Sequence, residues 1–230
     1  MTRPMFPQAF RPLPLVMTRL VPVLLVCLLL SGLPARAEGP KTPEEAGLVE
    51  VVKLDPSLIL DIRYATENNF TGKTVYPSAR CYLRQEAAQA LVLVQKDLRT
   101  QGLGLKIYDG YRPFSVQKIF WKIMPDQRYV FEPVEENGKM VKGSRHNRGM
   151  AVDLTLVDAK GQELPMPTPY DDFTDKAHRN STAASPEIRS NALLLERAMV
   201  RRGFIPLSTE WWHFDMTGFE QAPLLDAPIQ

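Results

Sequence analysis

The sequence predicts an α+β fold in a single domain, with a central, mainly antiparallel sheet and flanking helices. Two observations carry this expectation. Segments of strand-like alternation and segments of helical spacing are mixed along the chain, the clearest being a strand over 150–157 and a helix over 84–101. They follow one another without the regular strand–helix–strand alternation of a parallel sheet.

Taken in order, residues 49–54 and 58–64 read as strands separated by an Asp55-Pro56-Ser57 turn. Residues 68–78 mix Gly, Pro, Thr and Asn and read as a loop. The helix over 84–101 places Ala87, Leu91, Val94 and Leu98 on one face and ends at Gly102. A short apolar strand over 103–108 runs into Asp109-Gly110-Tyr111-Arg112-Pro113. A helix over 115–124 follows, then an irregular stretch to Lys142. In the strand over 150–157, Val152, Leu154 and Leu156 point one way and Ala151, Asp153 and Thr155 the other. Residues 161–185 are loop. The next helix, over 186–202, has Ser185 as N-cap, Pro186 at its first position and Gly203 at its end. A last strand over 211–216 sets Trp212, Phe214 and Met216 opposite His213 and Asp215.

Residues 1–37 stand apart from this pattern. Arg3, Arg11 and Arg19 precede an apolar run over 20–30, and Ala35-Arg36-Ala37 offers small residues for cleavage. That order is a signal peptide, with an apolar stretch too short for a membrane span, so the expectation is a periplasmic or secreted protein with no stable span after cleavage. Residues 38–47, rich in Pro and Glu, read as a flexible start to the mature chain, and 48–230 as the folded domain. The leader takes four basic and no acidic residues with it, so the formal charge falls from +2 to −2 and nothing electrostatic points to nucleic acid. It also takes Cys27, leaving Cys81 alone: no internal disulfide can form, and Cys81 is expected as a half-buried, inert thiol.

The chemistry concentrates around two of the three histidines. His146 precedes a Gly-containing turn, and Asp153 lies on the polar side of the strand that follows. His213 belongs to Glu210-Trp211-Trp212-His213. A zinc ion that activates water wants three N or O ligands and an open fourth position, and His146, Asp153 and His213 supply that set. Glu210 is then near enough to act as general base without being a ligand. Arg112, its direction fixed by Gly110 and Pro113, is suited to an oxyanion. His178 and the basic trio Arg197, Arg201 and Arg202 read as solvated residues, and the two tryptophans as packing.

Together the 144–153 and 210–213 segments resemble those of the zinc D-alanyl-D-alanine dipeptidases, within a wider group of zinc D,D-peptidases related in fold to the Hedgehog signalling domain. Tyr64-Ala65-Thr66 with Asn69-Phe70-Thr71-Gly72, and the Asp109 to Pro113 turn, are similar to further signatures of the dipeptidase branch. The resemblance implies one zinc ion on His146, Asp153 and His213, with Glu210 and Arg112 catalytic. It implies that Ser144 helps to hold the substrate carboxylate, and that Tyr64 with Asp172 binds its free amine, although Tyr170-Asp171-Asp172-Phe173 offers two aspartates for that place. The implied activity is hydrolysis of D-alanyl-D-alanine or a close D,D-dipeptide in cell-wall peptide turnover. Its rivals are a zinc D,D-carboxypeptidase acting on longer peptidoglycan stems and a non-catalytic, zinc-stabilised binding module. The segments 125–142 and 161–185, folded over the metal, would close the cleft to anything longer than a dipeptide.

Overall fold

Alternation and turn chemistry place most elements where the sequence predicts them. The structure, a computed structural model, describes residues 1, 2, 9 and 39–230; the rest of the expected signal peptide, with Cys27, lies outside the described residues. Strand β1 (Leu48–Glu50) pairs antiparallel with β3 (Tyr82–Arg84). The main sheet has the order β2 (Ile59–Leu60), β4 (Leu103–Asp109), β7 (Ala151–Asp158), β9 (His213–Met216), β8 (Phe204–Pro206). The β2–β4 pair is parallel and the other three pairings are antiparallel, so the sheet is mixed but mainly antiparallel, as the sequence predicts. Helices α2 (Gln85–Arg99) and α4 (Pro186–Val200) pack against each other and against this sheet, while α3 (Phe114–Ile123) follows the arginine turn. Ala87, Leu91, Val94 and Leu98 are buried, as their spacing on α2 predicts. The hydroxyl of Ser185 accepts from the Ile188 amide at the start of α4, as expected of an N-cap.

Four expectations change. Residues 49–54 are not one strand: after Glu50 the chain turns into the single-turn helix α1 (Val51–Leu54), which buries Val51 and leaves Leu54 40% exposed. The β-branched run gives the wrong period because the Val51 amide is taken by the Cys81 carbonyl and the Asp55 amide folds back to Val51. Residues 58–64 form only the two-residue β2, then a 3-10 turn over Arg63–Ala65 that buries Tyr64. Residues 39–47, expected as flexible, contain hydrogen-bonded turns, with the Leu48 amide on the Pro43 carbonyl and Glu44 3.6 Å from the Arg80 guanidinium. The stretch after α3 contains a hairpin, β5 (Val134–Glu136) with β6 (Lys139–Lys142).

Cys81 is fully buried, not half-buried, and burial pushes its thiol well above the ordinary range. It packs against Gly110, where an added Cβ would come within 2.6 Å of the Cys81 sulfur and 3.0 Å of the Tyr82 carbonyl. That close approach requires glycine and lets the β1–β3 layer seat against the arginine turn. No helix among the described residues is long and apolar enough to cross a membrane.

Candidate metal centre and catalytic cleft

Strand register builds the centre. Asp153 on β7 pairs directly across from His213 on β9, and on its other side from Asp109 on β4. Directly paired residues share a face, so three polar side chains stand in a row across adjacent strands. The second imidazole, that of His146, comes from the 3-10 turn Arg145–Arg148 just before β7. A capping box fixes that turn: the Ser144 hydroxyl accepts from the His146 amide, and the Asn147 side chain accepts from the Ser144 amide at 2.7 Å. Gly149 closes it at φ +67, where a Cβ would also strike Leu48.

His146 Nε2, Asp153 Oδ1 and His213 Nδ1 form a triangle with edges of 3.1, 2.9 and 3.4 Å. A tetrahedral ion at about 2.0–2.2 Å from N and O ligands needs edges of roughly 3.3–3.5 Å, so the triangle closes on a metal with little movement. The outward nitrogens are also committed: His146 Nδ1 donates to the Gly110 carbonyl at 2.7 Å and His213 Nε2 to Asp215 at 2.9 Å. Such contacts fix which nitrogen faces the metal and how the ring turns. All three candidate ligands are buried. Burial alone would raise Asp153, yet the two imidazoles hold it well below the usual carboxylate range. Burial would lower His213, but Asp215 and Asp153 carry it up to about 10.

Glu210, in the loop between β8 and β9, lies with its carboxylate 3.9 Å from His213 Nδ1, beside the triangle and not in it. Burial lifts it to about 7, against the pull of His213. Arg112 is held from three sides: Nε and Nη2 donate to Asp109 at 3.1 and 2.7 Å, and Nη1 to Gln117 at 2.9 Å. Its backbone is stapled to the histidine turn, because the Arg112 amide donates to the His146 carbonyl and the Asn147 side chain donates to the Arg112 carbonyl.

These groups line one cleft of about 130 Å³, together with Ser144 and Tyr64. Asp172 does not line it. Asp171 does, and the Tyr64 hydroxyl donates to Asp171 at 3.1 Å. The backbone decides between the two: Asp171 sits at φ +62, a left-handed conformation that aspartate tolerates, and this turns its side chain inward. One oxygen of Asp172 is instead buried without a hydrogen-bond partner among the described residues. Half-burial beside Asp153 pushes the Asp171 carboxyl well above its ordinary range. His178 lies outside the cleft, 3.7 Å from Asp175. Trp211 is buried with its indole on Thr168, and Trp212 forms cleft wall. Three supporting residues went unread in the sequence: Asp109, Gln117 and Asp215. Asp215 had a signal, since it follows His213 by two on the same strand face.

A histidine–aspartate–histidine triangle with a buried glutamate beside it and a braced arginine across the cleft is the arrangement of a metallopeptidase. The comparisons agree: residues 44–228 match the Peptidase_M15 family, described as D-ala-D-ala dipeptidase, and the chain belongs to that family of hydrolases. The D-alanyl-D-alanine dipeptidase of Escherichia coli is 37% identical over 178 residues, which cover 77% of this chain and 89% of that protein. The enzyme of the same name from Enterococcus faecium is 33% identical over 168 residues, covering 67% and 83%. Among solved structures, the vancomycin-resistance D,D-pentapeptidase VanY in complex with Zn(II) covers 63% of this chain and 78% of its own, at 16% identity and a TM-score of 0.37.

Proposed function

We propose that this chain is a zinc dipeptidase that hydrolyses D-alanyl-D-alanine or a closely related D,D-dipeptide outside the cytoplasm, in cell-wall peptide turnover. The observation that carries the reading is the make-up of the cleft: the metal triangle, Glu210 and Arg112 share about 130 Å³ with an Asp171–Tyr64 pair and with Ser144. A pocket for an ordinary drug-sized ligand measures roughly 300–1,000 Å³, so this one suits a very small substrate.

Two imidazoles and a carboxylate are a zinc donor set, and zinc there supplies Lewis acidity and an acidified water. Glu210 takes the proton of the attacking water and passes it to the leaving amine. Arg112 donates to the oxygen that gains charge as the carbonyl carbon becomes tetrahedral. Asp171 and Tyr64 receive the substrate ammonium group, and the Ser144 hydroxyl, which accepts from the His146 amide, keeps its hydrogen for the substrate carboxylate.

The segments flanking the cleft support a dipeptide over a longer stem. Tyr129 and Phe173 stack at 5.1 Å and Phe173 meets Phe70 at 5.3 Å, so aromatic rings from both long segments line the cleft together with Asp171. The extracytoplasmic placement rests on the leader pattern of residues 1–37.

The test is turnover by the zinc-loaded protein of D-Ala-D-Ala, N-acetyl-D-Ala-D-Ala and a stem pentapeptide. The free dipeptide is expected to be cleaved far faster than the other two, because a blocked amine leaves Asp171 unpaired. Comparable kcat/KM for all three would put the carboxypeptidase reading ahead, and zinc binding without turnover would leave a binding module. For export, the mature protein recovered from outside the cytoplasm should begin at or near Glu38; an intact leader there would overturn that part.

A further inference from the structure

Tyr170 stands behind the cleft, 9% exposed, and is not among the residues that line it. Its hydroxyl donates to Asp153 Oδ2 at 2.9 Å, the oxygen that faces away from the two imidazoles. The same hydroxyl lies 3.3 Å from that of Tyr64, which in turn donates to Asp171 at 3.1 Å. A continuous row of oxygens therefore runs from the aspartate of the cleft, through two buried phenols, to the carboxylate of the metal triangle.

The row is one hydrogen short. Asp171 pairs with an ammonium group only in its ionised form, and in that form it brings no hydrogen, so the three oxygen–oxygen gaps share the two hydrogens of the tyrosines. With Tyr170 donating to Asp153 and Tyr64 to Asp171, the 3.3 Å gap between the phenols is empty. An ammonium group arriving at Asp171 brings N–H donors of its own. That group donates to Asp171 and to the Tyr64 oxygen, the Tyr64 hydrogen turns toward Tyr170, and an unbroken run of hydrogen bonds then leads from the amine to Asp153. A hydroxyl that accepts as well as donates is the stronger donor, so Asp153 is held more firmly once the amine is in place.

We propose that Tyr170 is a positioning residue that couples capture of the substrate ammonium group to the metal ligand Asp153. The inference rests on the dipeptidase reading for the identity of the amine, but its metal half does not. The packing of Tyr170 makes the substitution clean: its ring lies 4.7 Å from that of Tyr108 and 5.4 Å from that of Trp212, and Tyr170→Phe keeps both contacts while removing only the hydroxyl.

The experiment measures zinc dissociation constants by chelator competition on the full chain, without substrate, for the native protein, Tyr170→Phe and Tyr64→Phe. It also measures kcat/KM for free and N-acetylated D-Ala-D-Ala. Loss of a group that orients a metal ligand lowers metal affinity about 10- to 100-fold. Tyr170→Phe is expected in that range, with a reduced preference for the free amine although Tyr170 does not reach the cleft. Tyr64→Phe is expected to lose more of the preference and less of the zinc affinity. Native zinc affinity in Tyr170→Phe overturns the proposal. Weakened zinc with an unchanged preference also overturns it, since Tyr170 would then only buttress Asp153. If Tyr170→Phe fails to fold, an unchanged preference for the free amine in Tyr64→Phe overturns it instead. A native protein that binds zinc but ignores D-Ala-D-Ala refutes the dipeptidase reading, while the zinc titrations still test the link from Tyr170 to Asp153.

Discussion

Replacing Arg112 by lysine separates the catalytic work proposed for it from its structural work. A guanidinium has five N–H groups. Three are committed to Asp109 and Gln117, so one on each terminal nitrogen remains for the cleft. The head group lies 4.6 Å over the Phe120 ring and 5.4 Å over that of Tyr64, which limits its tilt. Arg112→Ala would remove the oxyanion donors but would also strand Asp109, which is 0% exposed. Breaking a buried pair in that way costs about 3–5 kcal/mol of stability, which would confuse any loss of activity. Arg112→Lys keeps a positive charge beside Asp109 and removes the fork, since an ammonium is a single point donor. Loss of one oxyanion donor costs about 2.7–4 kcal/mol, or roughly 10² to 10³ in kcat. The assay is steady-state hydrolysis of D-Ala-D-Ala by zinc-loaded protein, with zinc content and Tm measured alongside. The expected result is kcat lower by roughly 10² to 10³ with zinc retained and KM within a few fold of native. An unchanged kcat, or a loss confined to KM, would refute the reasoning and make Arg112 a binding or structural residue.

Glu210→Gln should retain zinc, because Glu210 stands outside the ligand triangle, yet lose about 10² or more in kcat; loss of metal would show it to be a ligand. His146→Ala and His213→Ala should each lose stoichiometric zinc and activity together, as metal analysis would show. Zinc affinity should rise with pH, because the metal needs the His213 Nδ1 lone pair and that imidazole, raised to about 10, holds a proton below this pH. From pH 6 to 8 the apparent affinity should grow by up to about tenfold per unit, and a flat profile in chelator competition would contradict the assignment. Asp171→Asn should lower kcat/KM for the free dipeptide by about 10- to 10²-fold and spare the acetylated one, the range expected for a hydrogen bond to a charged group. Asp172→Asn should leave that ratio unchanged, and the reverse pattern would restore Asp172 to the site.

Most of the centre was legible because alternation fixes which side chains share a face. His213 and Asp215 fall on one side of β9 by their spacing alone, and Asp153 falls opposite Val152 and Leu154 on β7. The strand was expected to have a polar side and an apolar side, but Ala151 to Val157 are all buried. The alternation there separates core from catalytic cleft, and only the pairing partners reveal that. The short elements were illegible for a related reason: β3 and β8 have three residues each, too few for a period, and exist because neighbours complete their hydrogen bonds. That Asp171 and not Asp172 lines the cleft goes with one positive φ, which two adjacent aspartates do not betray in the sequence.

The site's precision follows from where its parts are anchored. Asp109, Asp153 and His213 occupy matched positions on three hydrogen-bonded strands, so their spacing is set by the sheet and not by a loop. A one-residue slip of β9 against β7 would turn His213 to the opposite face and put Trp212 or Phe214 beside Asp153. The pairs that flank this one, Val152 with Phe214 and Ala151 with Asp215, oppose such a slip, since all four residues are buried and Asp215 must stay within reach of His213. The groups that do not lie on strands are tied to those that do. His146 is capped by Ser144, stapled to Arg112 and hydrogen-bonded to Gly110, and the loop that carries Glu210 is held by the Leu207 amide on the His213 carbonyl. The proposed ligands and catalytic groups are therefore preorganised by the same backbone that folds the domain, so metal binding would have little conformational entropy left to overcome.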